Sequence, residues 1–128
     1  MGTVLGSLPK RFQDKAKRAL EDPGAIGQLL AGAQAKAEQE KKRFSSFWPD
    51  LKSLFKMLKS YWTGEYRDVP YKSLFSAVLA LIYFVNPMDL IPDVLLFGLI
   101  DDALVLGYVL SSLKADIDTY QAWLKAQV

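Results

Sequence analysis

Between Ser73 and Val85 the chain carries no charged residue, and the run is apolar around the whole circumference of a helix. A helix that is hydrophobic on every side has to be surrounded, by other protein or by lipid. The run is 13 residues long, whereas a straight helix needs about 20 apolar residues to span a bilayer. Asn86-Pro87 stops it, because proline lacks a backbone donor and disfavours helical conformation in the residue before it. The run is therefore expected to be a buried core helix, or one arm of a hairpin that dips into a membrane.

A second apolar arm is available. Asp101 or Asp102 caps a predicted long last helix reaching Leu124. Its seam of Leu106, Leu110, Leu113, Ile117, Tyr120 and Leu124 alternates steps of four and three, the spacing of a helix–helix contact. Ala103, Gly107, Ser111 and Ala115 are small and four apart, and Ser73, Ala77 and Ala80 are small in the first arm. Small ridges let helix backbones approach closely. The 73–86 and 101–124 segments are expected to pair as a tight antiparallel hairpin, joined by a short helix from Asp89 to Phe97 that is capped by Asp89 and closed by Gly98.

The 128 residues are one domain's worth. With neither cysteine nor histidine, the chain can build no zinc finger, disulfide framework, thiol nucleophile or imidazole base. The net charge of +2 hides two opposite parts: residues 1–72 carry +6 and residues 73–128 carry −4. Such asymmetry signals an anionic partner for the basic part, or pairing of the two halves. Met1–Lys10 has no charged start followed by an apolar run, so no secretory leader is expected.

Upstream of the hairpin, a loose tail over residues 1–9 is expected to precede a short charged helix from Lys10 to Glu21, ended by Asp22-Pro23-Gly24. Residues 25–43 read as helix, with Ile26, Leu29, Leu30 and Ala33 on one side. From Gln34 to Arg43 the pattern is polar all round, and this arm is expected to be solvated and weakly held. Phe44, Phe47, Trp48, Leu51, Leu54, Phe55, Leu58, Tyr61 and Trp62 recur at steps of three and four. That predicts a helix over 49–62, with Pro49 in its first turn and Gly64 past its end. Lys52, Lys56 and Lys59 lie away from the apolar stripe. A basic helix of this kind packs into a bundle, or lies on an anionic bilayer with Phe47, Trp48, Phe55 and Trp62 toward the lipid; the two can coexist.

Between the apolar arms, Asp89, Asp93, Asp101 and Asp102 fall inside fourteen residues with no basic residue among them. Carboxylates amid Leu, Ile, Val and Phe are costly unless capped, paired, metal-bound or protonated. Four accounts stay open: capping of helix N-termini, where free N–H groups favour an anion; pairing with Arg43, Arg67 or Lys72; a hard divalent cation on all-oxygen ligands; or a catalytic carboxylate pair.

The doubled motif, Pro87-Met88-Asp89-Leu90-Ile91-Pro92-Asp93 followed by Gly98-Leu99-Ile100-Asp101-Asp102, resembles that of the YkvA-like family, a prokaryotic domain of unknown function. The likeness covers residues 50–128, with residues 1–49 as basic amphipathic N-terminal helices ahead of it. Family members commonly have one more residue and a second proline where this chain has Val94-Leu95-Leu96-Phe97. The resemblance implies a helical, often membrane-associated protein, and implies no activity or cofactor.

The expected fold is all-α: a bundle of about five helices with its core from 44–62, 73–86 and 101–124. Pro87, Asp89, Pro92, Asp93, Gly98, Asp101 and Asp102 are its structural motif. The expected function is a non-enzymatic membrane-associated module or scaffold without cofactor, on the cytoplasmic face of the membrane, peripheral or hairpin-inserted. The cytoplasmic side follows from the lysines before the hairpin, since basic flanks stay inside. Membrane lipid or a membrane protein is the expected partner, with homo-oligomerisation suggested by the excess of large apolar residues. Nucleic acid is not expected, because basic and acidic residues alternate over 10–43 and no binding motif appears. The alternative is a soluble bundle that binds a divalent metal or small ligand through Asp89, Asp93, Asp101 and Asp102.

Overall fold

The computed structural model of the chain describes residues 10–85 and 102–127. Among these are six α-helices and one 3₁₀ turn: α1 (Lys10–Leu20), α2 (Pro23–Gln39), the 3₁₀ turn Ser45–Phe47, α3 (Trp48–Thr63), α4 (Tyr71–Val85), α5 (Asp102–Ser112) and α6 (Lys114–Ala126). The all-α class and the small-bundle architecture hold. The helix expected at 89–97 lies outside the described residues.

Local signals account for the helix ends. The Asp22 side chain accepts hydrogen bonds from the backbone N–H groups of Gly24 and Ala25, at 3.0 and 3.3 Å. It thereby serves two of the N–H groups that an α-helix leaves unpaired at its start, and Pro23 occupies a first-turn position where no donor is needed. Gly64 ends α3 in the left-handed region, at φ 87°, where a side chain is strained. The N–H of Glu65 then reaches back to the Ser60 carbonyl at 3.0 Å.

α4 is the centre of the bundle. α1, α2 and α5 all pack along it, and every residue from Ala77 to Phe84 is buried. The core expected from 44–62, 73–86 and 101–124 alone is thus enlarged. α1 contributes Ala16 and Ala19, and α2 contributes Ile26, Leu30, Ala33 and Ala37, to one continuous hydrophobic core. Alanines suit this contact because they let a neighbouring helix come close to a crowded one. The Gln34–Arg43 stretch is solvated at most positions, as expected, but its helical part, which ends at Gln39 rather than at Arg43, is not weakly held. α2 continues to Gln39, Ala37 is fully buried, and the Lys36 ammonium donates to the Phe84 carbonyl at 2.6 Å. Polarity all round concealed one small buried residue per turn and one long side chain with a backbone target.

The pairing of α4 with α5 is as expected, and the Ser73 hydroxyl donates to the Asp116 carboxylate. That bond puts the start of α4 beside the start of α6, so α5 runs back along α4. Two details differ from expectation. The long last helix breaks at Leu113 (φ −99°, ψ 5°), where the Leu113 N–H is shared between the Val109 and Leu110 carbonyls. The Ser112 hydroxyl bonds the Val109 carbonyl at 2.8 Å, and such back-bonding competes with the helical ladder. In addition, the small ridge of the last arm does not face α4. Ser111 and Ala115 are exposed, and a Cβ on Gly107 would meet the Phe47 ring at 3.5 Å. Leu106, Val109, Leu110 and Leu113 make the buried side instead.

α6 docks on α3 through polar clasps as well as the seam. Ser60 Oγ and Tyr120 Oη are 2.8 Å apart, the Gln121 amide donates to Ser53 Oγ, and Lys114 bridges Asp50 at 3.3 Å. Ile117 and Tyr120 are buried between them, with Tyr66, Tyr120 and Trp123 forming a ring cluster at 5.0–5.8 Å.

Candidate functional site

α3 places its apolar and basic residues on separate faces, as periodicity requires. Leu51, Leu54, Phe55, Met57 and Leu58 are buried, while Lys52, Lys56 and Lys59 are exposed. Phe55, one of the aromatic residues expected at a membrane or partner surface, is 4% exposed and belongs to the core. Phe47, Trp48 and Trp62 are half-buried, each with part of its ring at the surface. The lysines therefore share their side of the molecule with partly accessible indoles rather than with a continuous aromatic stripe.

None of Lys52, Lys56 and Lys59 forms an ion pair among the described residues. Lys114, on α6, contrasts with them: it lies between Asp118, at 3.2 Å, and Asp50, at 3.3 Å. Hydrogen bonding to these two carboxylates, Asp118 first, raises its pKa. The charge of Lys114 is thus matched by two carboxylates, and that of the α3 lysines has no such match among the described residues.

Lys41, which sequence reasoning passed over, and Arg67, which it set against the aspartates, join this surface. The Lys41 ammonium sits 5.2 Å from the Trp48 ring centre, and the Arg67 guanidinium lies 4.8 Å from that of Tyr61, itself packed on Trp62. Both are cation–π distances. Neither was legible from spacing, because each reaches its ring from outside α3: Lys41 from the turn before it, Arg67 from the connection after it. Trp48, Lys52, Phe55 and Lys56 also line a groove of about 210 Å³ with Gln34 and Glu38 of α2.

The end of α4 holds another residue that sequence reasoning overlooked. Besides donating to the Phe84 carbonyl, the Lys36 ammonium lies 4.7 Å from the centre of the Phe84 ring. A cation at the C-terminal end of a helix satisfies a carbonyl and opposes the negative end of the helix dipole.

The doubled motif lies outside the described residues at Pro87, Asp89, Pro92, Asp93, Gly98 and Asp101. Asp102 is the first residue of α5, and its side chain is likewise outside them. Among the described residues, no group of three or more acidic, histidine or cysteine side chains is placed to hold a metal ion. Of the cations expected to pair with those aspartates, Arg43 bridges Glu40 at 2.8 Å and Arg67 rests on Tyr61. No helix among the described residues is long and apolar enough to cross a membrane.

Comparison with known proteins places this geometry in a family. Residues 73–113, which run from the start of α4 across the doubled motif to the break at Leu113, match the model of a protein family of unknown function, DUF1232. Over 96 residues the chain is 34% identical to the uncharacterized membrane protein YkvA of Bacillus subtilis (strain 168), an alignment covering 74% of this chain and 91% of that relative. No solved structure matches. The matched stretch takes in α4 and α5, and the chain belongs to the YkvA-like family of helical proteins of unknown function.

Proposed function

We propose that this protein is a non-enzymatic, membrane-associated helical module that meets the cytoplasmic face of an anionic membrane through α3. The observation that carries this is the unmatched lysine row, Lys52, Lys56 and Lys59, beside the partly accessible indoles of Trp48 and Trp62. Basic residues on an amphipathic surface are each worth about 1 kcal/mol near an anionic leaflet, and indoles suit the headgroup level. The relative's name as a membrane protein supports the same assignment. Cytoplasmic placement rests on the basic residues before the hairpin, since anionic lipid and lysine-rich flanks concentrate on that side.

Peripheral contact is favoured over insertion of the hairpin, because α4 is already enclosed by α1, α2 and α5. Its apolar circumference is covered by protein over most of its length, which leaves no face as long as the helix for a bilayer. A membrane protein that presents an acidic cytoplasmic surface would satisfy the same lysines.

Vesicle flotation tests this. The protein should float with vesicles of phosphatidylcholine containing a third phosphatidylglycerol at low salt, and release as the salt rises to 0.5 M. Charge reversal at Lys52, Lys56 and Lys59 together should abolish flotation. Equal flotation with pure phosphatidylcholine, or none with either vesicle, would overturn the assignment.

A further inference from the structure

A groove of about 500 Å³ lies between α1, α2 and the end of α4, away from the α3 lysines. Small-molecule pockets commonly enclose ~300–1,000 Å³ and combine an apolar lining with a few polar groups. Here the lining is Ala19 from α1, Ala25 and Leu29 from α2, and Ile82 and Val85 from α4. Lys15 and Arg18, one turn apart on α1, stand at its rim, and both are exposed. Neither forms an ion pair among the described residues. The one carboxylate at the groove, Asp22, is engaged in capping α2 through the Gly24 and Ala25 N–H groups. Gln28 adds a neutral polar side chain.

We infer that this groove binds one molecule of an anionic single-chain phospholipid, its acyl chain over Leu29, Ile82 and Val85 and its phosphate at Lys15 and Arg18. Charge complementarity selects the head: Lys15 and Arg18, without an ion pair among the described residues, outnumber the single Asp22 carboxylate, whose Oδ1 accepts from the Gly24 and Ala25 N–H groups. The apolar floor selects the tail. A free phosphate or sugar phosphate would leave that floor wet, and in a zwitterionic lipid the head's own cation would compete with Lys15 and Arg18 for the phosphate. Arg18 is the stronger contact, because its guanidinium can donate two parallel hydrogen bonds to a phosphate.

This site does not depend on the α3 surface, and a lysophospholipid kept below its micelle concentration offers no membrane to bind. Calorimetric titration of the full chain therefore separates the two. Lysophosphatidylglycerol should bind at one equivalent, lysophosphatidylcholine about tenfold more weakly for lack of net charge, and glycerol 3-phosphate not at all. Arg18→Gln should weaken lysophosphatidylglycerol binding about tenfold. Lys17→Gln, with the same change in net charge on an exposed α1 residue outside the groove, should leave it unchanged. Ala25→Leu narrows the groove and should lower affinity without loss of helical signal by circular dichroism.

Equal binding of the two lysolipids, binding of glycerol 3-phosphate alone, or equal effects of Arg18→Gln and Lys17→Gln would each overturn the assignment. Vesicle flotation that persists in Arg18→Gln leaves the α3 contact standing whichever way the groove behaves.

Discussion

α3 and α4 are consecutive, of similar length and both rich in Leu and aromatic residues, yet they do opposite things with their surfaces. α4 buries every residue from Ala77 to Phe84 and has α1, α2 and α5 along it. α3 buries five residues and keeps Lys52, Lys56 and Lys59 in solvent. The difference teaches that hydrophobicity around a whole helix specifies enclosure without specifying by what. A stripe, by contrast, specifies an orientation. α4 could have been enclosed by lipid on its composition alone. It is enclosed by protein because α1, although highly polar, and the alanine-rich α2 each present alanines that sit close against a crowded helix.

The largest effect should come from hollowing out the enclosed helix. Phe84 is fully buried, its ring edge-on to Phe44 at a centroid distance of 5.4 Å. Phe84→Ala should cost about 3–5 kcal/mol in urea unfolding, the transfer of a large side chain plus the cavity it leaves. A loss under about 1 kcal/mol would show that α4 is not enclosed as described.

Next comes the contact at the C-terminal end of α4. Lys36→Met keeps the apolar stem and removes the ammonium from the Phe84 carbonyl. The expected cost is about 1.5–3 kcal/mol, the range for a hydrogen bond with a charged partner. A neutral outcome would return α2 to the status of a solvated arm.

The connection between the two helices carries a smaller effect of opposite sign. Tyr66 is buried, and its hydroxyl has no hydrogen-bond partner among the described residues. Tyr66→Phe should be neutral or stabilising by up to about 1 kcal/mol near pH 7, because an unsatisfied polar atom is removed. Burial first, then the nearby Asp68 and Asp116 carboxylates and Tyr120, raises the Tyr66 pKa above its usual 10.0. Above pH 10 the unfolded chain gives up this proton before the folded one, so the tyrosine's contribution to stability falls as pH rises. The advantage of Tyr66→Phe should therefore grow between pH 10 and 11, measured by denaturant titration. A constant difference across that range would contradict the burial of this phenol.

The smallest effect belongs to the open face of α3. Replacing Lys52, Lys56 and Lys59 together by Gln should change stability by no more than about 0.5 kcal/mol per site, since exposed residues without partners seldom matter to folding. Vesicle flotation should fall at the same time. Stability lost in step with flotation would mean that the lysines serve the fold.

Much of this was legible in residue order. The helix boundary at Asp22-Pro23-Gly24, the Gly64 stop, the α3 stripe and the 106–120 seam are local patterns, and each appears where its pattern puts it. The family was legible too, through a doubled motif of fixed spacing. The errors are of one kind. The polarity of Gln34–Arg43 hid Ala37 and Lys36, whose worth depends on what stands opposite. The small ridge of the last arm suggested close approach to α4, yet Gly107 faces Phe47, because larger residues beside it fill the α4 contact. The Leu113 break follows no proline or glycine and comes where Ser112 bonds back to Val109. The Lys15–Arg18 groove was invisible, since α1 and α2 are closed into a groove only by the end of α4, far from them in the chain.

The amino-acid order by itself determined that the chain is helical, where most helices start and stop, which side of α3 is wet, and that residues 73–85 must be covered. These follow from periodicity, capping chemistry and the cost of exposing apolar surface, all of which act within a few turns of one helix. Only the tertiary structure decided that α1 and α2 do the covering, that Lys36 bonds the last turn of α4, and that the final arm is two helices. Burial rewards any apolar neighbour about equally per unit area, so the choice of neighbour is made by fit among elements distant in sequence, which no local pattern records.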